Sequence, residues 1–418
     1  MKPKILLIGD DIRIPGGVSN ICKSIILNTI DKFDWIQLAA RPTHPEHGVV
    51  IDISKSVASH TNVDDCYARL YCNSGYGDEQ TLFNILESES IDAILHMTDP
   101  RYYTWLHAIE NKVRAKCPLC YYHVWDNYPT PMYNKSIYQS CDWIGCISEL
   151  TYNVVQESTN GSVPCNYVPH GIDCEVFKKL PSTGVRNSRY GLLEGGCEFA
   201  ILSNNINMRR KQLPSLIESY DKFCNLLTDS ESKKTVLMLH TNQVGEGGHD
   251  LIDMVEGLFP TRNILFSTSK VDEKTLNQMY NTFSITANIA SNEGFGLSTL
   301  ESLATETPIV CNKTGGLSSQ ITDDNAWGVG IEPAAKKLSG DANTPYLYED
   351  FVSTDDVAKA FATMYTKTEE EVEAMGIAGR NHVMENFQLS QMTDGISAGL
   401  LSALANHTPP PKVRVSKL

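Results

Sequence analysis

Nowhere in the 418 residues does an apolar run approach the roughly 20 needed to cross a bilayer, which predicts a soluble chain with at most peripheral membrane contact. Basic residues are outnumbered: 35 Lys and Arg face 50 Asp and Glu, for a net charge of -15. That balance opposes attraction to a phosphodiester backbone, so duplex nucleic acid is not an expected partner. The opening MKPKILLIGDD lacks a signal-peptide core, because Gly9, Asp10 and Asp11 stop its apolar run, and it reads as a first β-strand. No G-x-G-x-x-G follows that strand, which removes the best support for a dinucleotide enzyme. The twelve cysteines show no framework spacing, and several (Cys120, Cys146, Cys311) lie in apolar runs. They read as buried thiols of a reducing, cytoplasmic compartment. Cys117 and Cys120 form one CxxC, but no second CxxC completes a metal site. In a strand, positions three apart also point to opposite faces.

The length exceeds what one hydrophobic core supports, so two domains of roughly 150–200 residues are expected, with a ligand cleft between them. Short apolar strands alternate with helical patterns, the signature of parallel sheets covered by helices. Strands are predicted at 4–8, 35–39, 93–96, 119–124 and 143–147, then at 199–203, 235–240, 263–267, 285–290 and 308–312. Leu213, Leu216, Ile217, Tyr220, Phe223 and Leu227 recur at helical spacing, with Pro214 tolerated in the first turn. The expected organisation is a first domain over 1–176, a polar Pro- and Gly-containing linker over 177–197, a second domain over 198–388, a C-terminal helix over 389–407 and a tail over 408–418.

Three clusters carry candidate chemistry. The first is SNEGFGLSTLESL, residues 291–303, which follows a predicted strand and opens a helix. Open α/β sheets bind ligands at that position. Gly294 and Gly296 admit close backbone approach, and the amides at the helix start suit a diphosphate. Glu293 and Glu301 flank the turn eight residues apart; they can grip the hydroxyls of a nucleotide sugar, or serve as a cap and a solvated surface residue. The second is SNNINMRRKQ, where Arg209, Arg210 and Lys211 crowd a helix start. Cations are unfavourable to the dipole there, which points to a compensating anion, and they can stabilise a departing diphosphate. The third is the Pro15-Gly16-Gly17 loop after strand one, a weak phosphate-binding pattern by itself.

EGFGLSTLE, with TPIV and TGGL downstream, resembles the E-x7-E signature of the group-1 glycosyltransferases. YVPHGIDCEVF, DEKTLNQMYNTFSI and MGIAGRNHVMENF extend the resemblance over nearly the whole chain. It implies a GT-B fold, α/β with two facing Rossmann-like domains, the last helix crossing back to the first. The first domain would bind the acceptor and the second a nucleoside-diphosphate sugar. Glu293 would contact the transferred sugar and Glu301 the ribose. Backbone groups of Gly294, Phe295, Gly296, Leu297 and Ser298 would hold sugar and phosphates, Val271 would meet the base, and Gly16 and Gly17 would face the phosphates. Arg210 and Lys211 would stabilise the leaving diphosphate. His123 in YYHVWDNYP, by itself readable as a satisfied core residue of an apolar strand, would point toward the donor sugar, with Asp126 near enough in sequence to orient its ring or to approach an acceptor hydroxyl.

The resemblance also implies retention of anomeric configuration. No D-x-D pair occurs anywhere, so transfer without a metal or other cofactor is expected. One position departs from the family pattern: with Lys211 matched to its conserved Lys, Ile206 stands where many members carry Arg. Arg210 is expected to reach the diphosphate in place of that side chain. The alternatives are a nucleotide-sugar epimerase of the same fold and a non-catalytic nucleotide-sugar binder. The acceptor and the base of the donor stay open.

Overall fold

The computed structural model describes residues 2–245 and 247–410, which form two compact units. The first holds residues 2–125, 130–170 and 389–410; the second holds 126–129, 171–245 and 247–388. Residues 411–418 of the expected tail lie outside the described residues.

The first unit is built on an eight-stranded sheet of β1 (Lys4–Asp10), β2 (Asp34–Arg41), β3 (Val50–Asp52), β4 (Ala68–Ser74), β5 (Ala93–Thr98), β6 (Leu119–His123), β7 (Trp143–Cys146) and β8 (Cys165–Tyr167). Its order is β3-β4-β2-β1-β5-β6-β7-β8. All neighbours run parallel except β3 with β4. Ile5, Leu6, Leu7 and Ile8 are fully buried, as a strand covered on both faces requires. The sequence reading contains neither β3 nor β4. In ARLYCNS the apolar residues alternate with Arg69, Tyr71 and Asn73, which masks a buried strand. That polar face is satisfied by the buried Glu89, which accepts hydrogen bonds from Tyr67 (2.8 Å), Tyr71 (2.7 Å), Lys4 (3.2 Å) and Arg69 (3.2 Å).

The helix Leu389–Asn406 belongs to this first unit although it follows the second in sequence. Lys32 pairs with Asp394 at 2.7 Å, and His407 lies 2.8 Å from the Arg114 carbonyl oxygen. The expected return of the last helix is therefore observed.

In the second unit, β9 (Phe199–Asn204), β10 (Thr235–His240), β11 (Ile264–Ser267), β12 (Ile285–Asn288), β13 (Ile309–Asn312) and β14 (Gly328–Ile331) form an all-parallel sheet ordered β11-β10-β9-β12-β13-β14. The helix Leu213–Cys224 buries Leu213, Leu216, Ile217, Tyr220 and Phe223 against this sheet, the face that the 3.6-residue spacing marks. An antiparallel hairpin, β15 (Ala335–Ser339) and β16 (Leu347–Phe351), follows β14. Neither β14 nor the hairpin is in the sequence reading: GVGI is short and half glycine, and AKKLS and LYEDF carry more charge than a buried strand does.

The stretch read as a linker is part of the second unit and contains the helix Ser182–Tyr190. Arg189 ties that helix down by donating to the carbonyls of Thr282 (2.7 Å) and Phe283 (3.0 Å). The units divide after residue 170 rather than 176, and 126–129 cross into the second. All twelve cysteines are free. Among the described residues no helix is long and apolar enough to cross a membrane.

Candidate donor site in the second unit

The order of the second sheet reverses between β9 and β12. Loops leaving the C-terminal ends of parallel strands diverge at such a point and leave a crevice for a ligand. The sequence puts its two most charged candidate clusters in these loops: Arg209–Lys211 after β9, and Glu293 to Ser298 after β12.

The structure joins the two loops through one carboxylate. Glu293 is 8% exposed and Lys211 7%; the Lys211 ammonium donates to Glu293 Oε2. Arg210 lies 3.7 Å from the same oxygen and donates to the Asn292 carbonyl at 2.7 Å. The Ser291 amide donates to the Arg210 carbonyl at 2.7 Å. Burial disfavours both charges of the pair, yet the neighbouring Lys211 and Arg210 hold the Glu293 carboxyl below its usual range. Burial pulls the Lys211 ammonium down, with Glu293 opposing.

The basic run does not open the following helix as the sequence suggests. It forms a 3-10 turn, and Gln212 in the left-handed region (φ 50°) separates it from the helix Leu213–Cys224. The compensating anions are the protein's own: Glu293 for Arg210 and Lys211, and Glu349 of β16 for Arg209. Ile206 is 59% exposed and contributes no charge. Arg210, not Arg209, shares the carboxylate of Lys211.

Two further segments brace this arrangement. Gly315 (φ 49°) and Gly316 lie against the EGFG turn so closely that a Cβ on Gly316 would sit 2.2 Å from the Gly294 carbonyl oxygen and 2.5 Å from Phe295 Cα. The Gly316 amide donates to the Glu293 carbonyl at 2.8 Å. Buried Gln320 donates to the carbonyls of Phe295 (2.7 Å) and Gly296 (3.1 Å). From the hairpin, the Asp350 amide donates to the Ser291 carbonyl at 3.0 Å, and the Tyr348 carbonyl accepts from Asn292 at 2.6 Å. The sequence reading missed the hairpin's part; the polar pair Glu349-Asp350, buried on β16, is a signal visible only once the strand is known.

Gly296 (φ 94°) precedes the helix Leu297–Ala304, whose start has no side-chain cap. The Phe295 ring is buried edge-on against Phe387, 5.6 Å between centroids. Leu297 and Ser298 are half-buried at the helix opening. Uncapped amides with the positive end of the helix dipole suit an anion. Glu301, one to two turns along, accepts from Tyr280 Oη at 2.7 Å, which in turn accepts from Asn204 at 2.8 Å. Burial without a cation raises its carboxyl to about 7, against the lowering bond from Tyr280. Val271 is half-buried in the loop after β11, next to Asp272, which caps the helix Glu273–Thr282.

The remaining candidates lie in the first unit. Gly16 and Gly17 are exposed at the uncapped start of the helix Gly17–Thr29, after β1 at that sheet's own reversal between β1 and β5. The loop is anchored by Asp11, a residue the sequence reading did not select as a site. Asp11 is fully buried and accepts from Arg13 (2.8 Å) and Arg41 (2.9 Å), while its backbone carbonyl accepts from Ser19 (2.7 Å). Burial raises its carboxyl, but the arginine bonds outweigh this and hold it at about 2. His123, expected to point toward the donor sugar, is enclosed in the first unit in this structure. Its ring is fully buried beside Tyr121, Tyr138 and Trp125, and Nε2 lies 2.9 Å from Tyr138 Oη rather than on Asp126. Burial drives its pKa down to about 3, so it is a neutral core residue.

Two outcomes follow. In Gly316→Ala the new Cβ meets backbone, so urea unfolding should show a loss of about 1–3 kcal/mol. Gly257→Ala, on a helix with open space around it, should gain about 0.5–1 kcal/mol; equal effects would contradict the packing described. Asp11→Ala should lose about 2–3 kcal/mol at pH 7. Because the folded pKa is depressed, this stability is present above about pH 3.8 and lost as pH falls through 2, so the gap from the parent protein should narrow in acid.

Residues 209–380 match the family described as glycosyl transferases group 1. No curated protein matches the chain. Among solved structures, sucrose-phosphate synthase from Thermosynechococcus elongatus superposes with a TM-score of 0.71 at 14% identity, covering 97% of this chain and 100% of that one. A glycosyltransferase from Rickettsia africae gives 0.69 at 13% identity, with 97% and 99% covered. Anabaena HepE in complex with UDP-glucose gives 0.66 at 13%, with 96% and 99% covered. At such identities the likeness speaks of the fold, while the family match falls on the residues that build the crevice between β9 and β12. Residues 209–380 thus carry a group-1 glycosyl transferase match, and the chain as a whole has the GT-B fold of these glycosyltransferase structures.

Proposed function

We propose that the protein transfers a sugar from a nucleoside-diphosphate sugar to an acceptor hydroxyl, with retention of anomeric configuration and without a metal on the donor diphosphate. The observation that carries this is the convergence of Lys211 and Arg210 on Glu293 beside the uncapped start of the helix Leu297–Ala304. A diphosphate brought there meets two cations and free amides, the equipment for stabilising a leaving group without a divalent ion. The absence of any D-x-D pair supports the same reading. The complex of Anabaena HepE with UDP-glucose makes that donor the first to test.

In the reaction the acceptor oxygen attacks the anomeric carbon from the face the diphosphate leaves. The bond from carbon to phosphate oxygen breaks, and the departing oxygen takes the acceptor proton. Lys211 and Arg210 hold the developing charge. Glu293, preorganised by those cations, accepts from hydroxyls of the transferred sugar. Glu301 accepts from the ribose as a carboxylate, with Tyr280 fixing one of its oxygens. Activity in a cytoplasmic compartment agrees with twelve free cysteines.

The decisive experiment incubates the protein with UDP-glucose and an acceptor panel, then reads the product anomer and the effect of chelator. A retained anomer and undiminished turnover in chelator are expected; an inverted product, or rescue only by Mg²⁺ or Mn²⁺, would refute the reading. Arg210→Ala should lower turnover about 10²-fold and Lys211→Ala at least as much. Arg209→Ala, whose partner is Glu349, should change it far less. Near-normal turnover in Arg210→Ala would remove that residue from the donor site.

Glu301 gives a pH signature. With its folded pKa raised to about 7 from 4.5, it adds stability that is complete below about pH 4.5 and lost as pH rises through 7. Donor binding needs the carboxylate. UDP affinity measured by calorimetry should therefore rise with pH, by up to roughly tenfold per unit below 7, and level off above it. Glu301→Gln should flatten the profile; an unchanged profile would place the titrating group elsewhere.

A further inference from the structure

The core of the first unit contains histidines whose ring nitrogens are left without partners. His96 on β5 is fully buried and stacks on Tyr121, with centroids 4.2 Å apart and planes 16° apart. Neither its Nδ1 nor its Nε2 makes a hydrogen bond. A neutral imidazole has one donor and one acceptor to satisfy, and leaving both unmade in a core is strongly unfavourable. His107 packs edge-on against it, with centroids 5.2 Å apart, and its Nε2 is likewise buried without a partner.

The other nitrogen of His107 shows which way that ring is set. Ser140 Oγ lies 2.6 Å from His107 Nδ1 and 2.7 Å from the Ile137 carbonyl oxygen. With the hydroxyl proton given to that carbonyl, His107 carries its own proton on Nδ1 and keeps a lone pair on Nε2. A hydrogen bond that fixes the outer nitrogen and frees the inner one is the arrangement of a metal-ligating histidine. Cys141, buried in the turn before β7, completes the group. One ligand atom from each of His96, His107 and Cys141 lies within 4.8 Å of the others. Cys141 also lines a cavity of about 490 Å³ together with Arg114, Asp142 and His407.

We propose that His96, His107 and Cys141 bind one divalent transition-metal ion of the zinc class, with Ser140 positioning His107. Two imidazoles and a thiolate select zinc or cobalt over magnesium or calcium, which need oxygen ligands. The ion would tie β5, the helix Thr104–Ala108 and the turn before β7 together. It belongs to the first unit, whereas Arg210, Lys211, Glu293 and Glu301 belong to the second. The lone Cys117-Cys120 pair is not involved.

The test uses the untagged full chain, stripped with chelator and titrated with Co²⁺ and then Zn²⁺. One equivalent of Co²⁺ should give a thiolate-to-cobalt charge-transfer band and the visible bands of a four-coordinate ion, both lost on adding Zn²⁺. Saturating Zn²⁺ should raise the Tm by roughly 5–10 °C, a readout that needs no variant. Cys141→Ser should abolish the charge-transfer band while Cys117→Ser keeps it. Ser140→Ala should weaken cobalt binding about 10–100-fold. Absence of stoichiometric binding would mean that water satisfies these nitrogens, and would overturn the proposal. So would a charge-transfer band that survives Cys141→Ser, or binding with no thiolate band at all.

Discussion

The Glu293 carboxylate, buried between Lys211 and Arg210, sets where the loops after β9 and β12 meet. Two positive side chains on one short turn repel each other, and burying either of them alone would be strongly unfavourable. With Glu293 between them, both are held at the point where the sheet order reverses. Apolar residues of similar volume would stabilise the crevice as well or better. What the ion pair supplies is position: three charges set in advance where a diphosphate and its sugar would lie. The TGGL turn and the β16 strand then bond the backbone on either side of Glu293, so that the carboxylate cannot follow the cations away from the loop.

Glu301 stands on the same loop-helix segment in the opposite electrostatic state. Both glutamates are desolvated, but Glu293 has two cations for company and stays low, whereas Glu301 has a tyrosine hydroxyl and rises to about 7. Two carboxylates of one motif are thereby separated in pKa by their surroundings, and separate roles follow from that difference. The Tyr280 hydroxyl, itself bonded by Asn204 at the end of β9, holds one Glu301 oxygen. One strand end and two helices thus share one hydrogen-bond chain.

The first unit solves a similar problem with charges of the same signs. Asp11 is a single buried anion held by Arg13 and Arg41, and its backbone carbonyl receives Ser19 from the helix that Gly16 and Gly17 open. An exposed glycine turn has little stiffness of its own, and the buried pair beneath it supplies the anchor. His123 shows what a core does to a group that looks catalytic. Enclosed by three aromatic rings and bonded to Tyr138, its imidazole keeps no charge near neutral pH.

By itself the sequence determined the alternation of strand and helix and the expectation of two units, which rest on local signals: apolar runs of strand length and the 3.6-residue spacing of Leu213 to Phe223. The return of the last helix and the choice of the loops after β9 and β12 as the candidate site leaned on the resemblance of EGFGLSTLE and MGIAGRNHVMENF to a known family. The sequence favoured Arg210 over Arg209 from its adjacency to Lys211, and in the structure it is Arg210 that shares the Glu293 carboxylate with Lys211. Only the tertiary structure decided which carboxylate answers which cation, because Glu293 and Lys211 are 82 positions apart and no periodicity links them. It also decided that Arg209 turns to a hairpin with no apolar signature, that the polar stretch after Phe177 is a helix of the second unit, and that His123 is enclosed. The physical reason is the same in each case: burial and pairing of polar groups are set by what packs against them from distant parts of the chain, whereas the pattern along the chain records only which face is apolar.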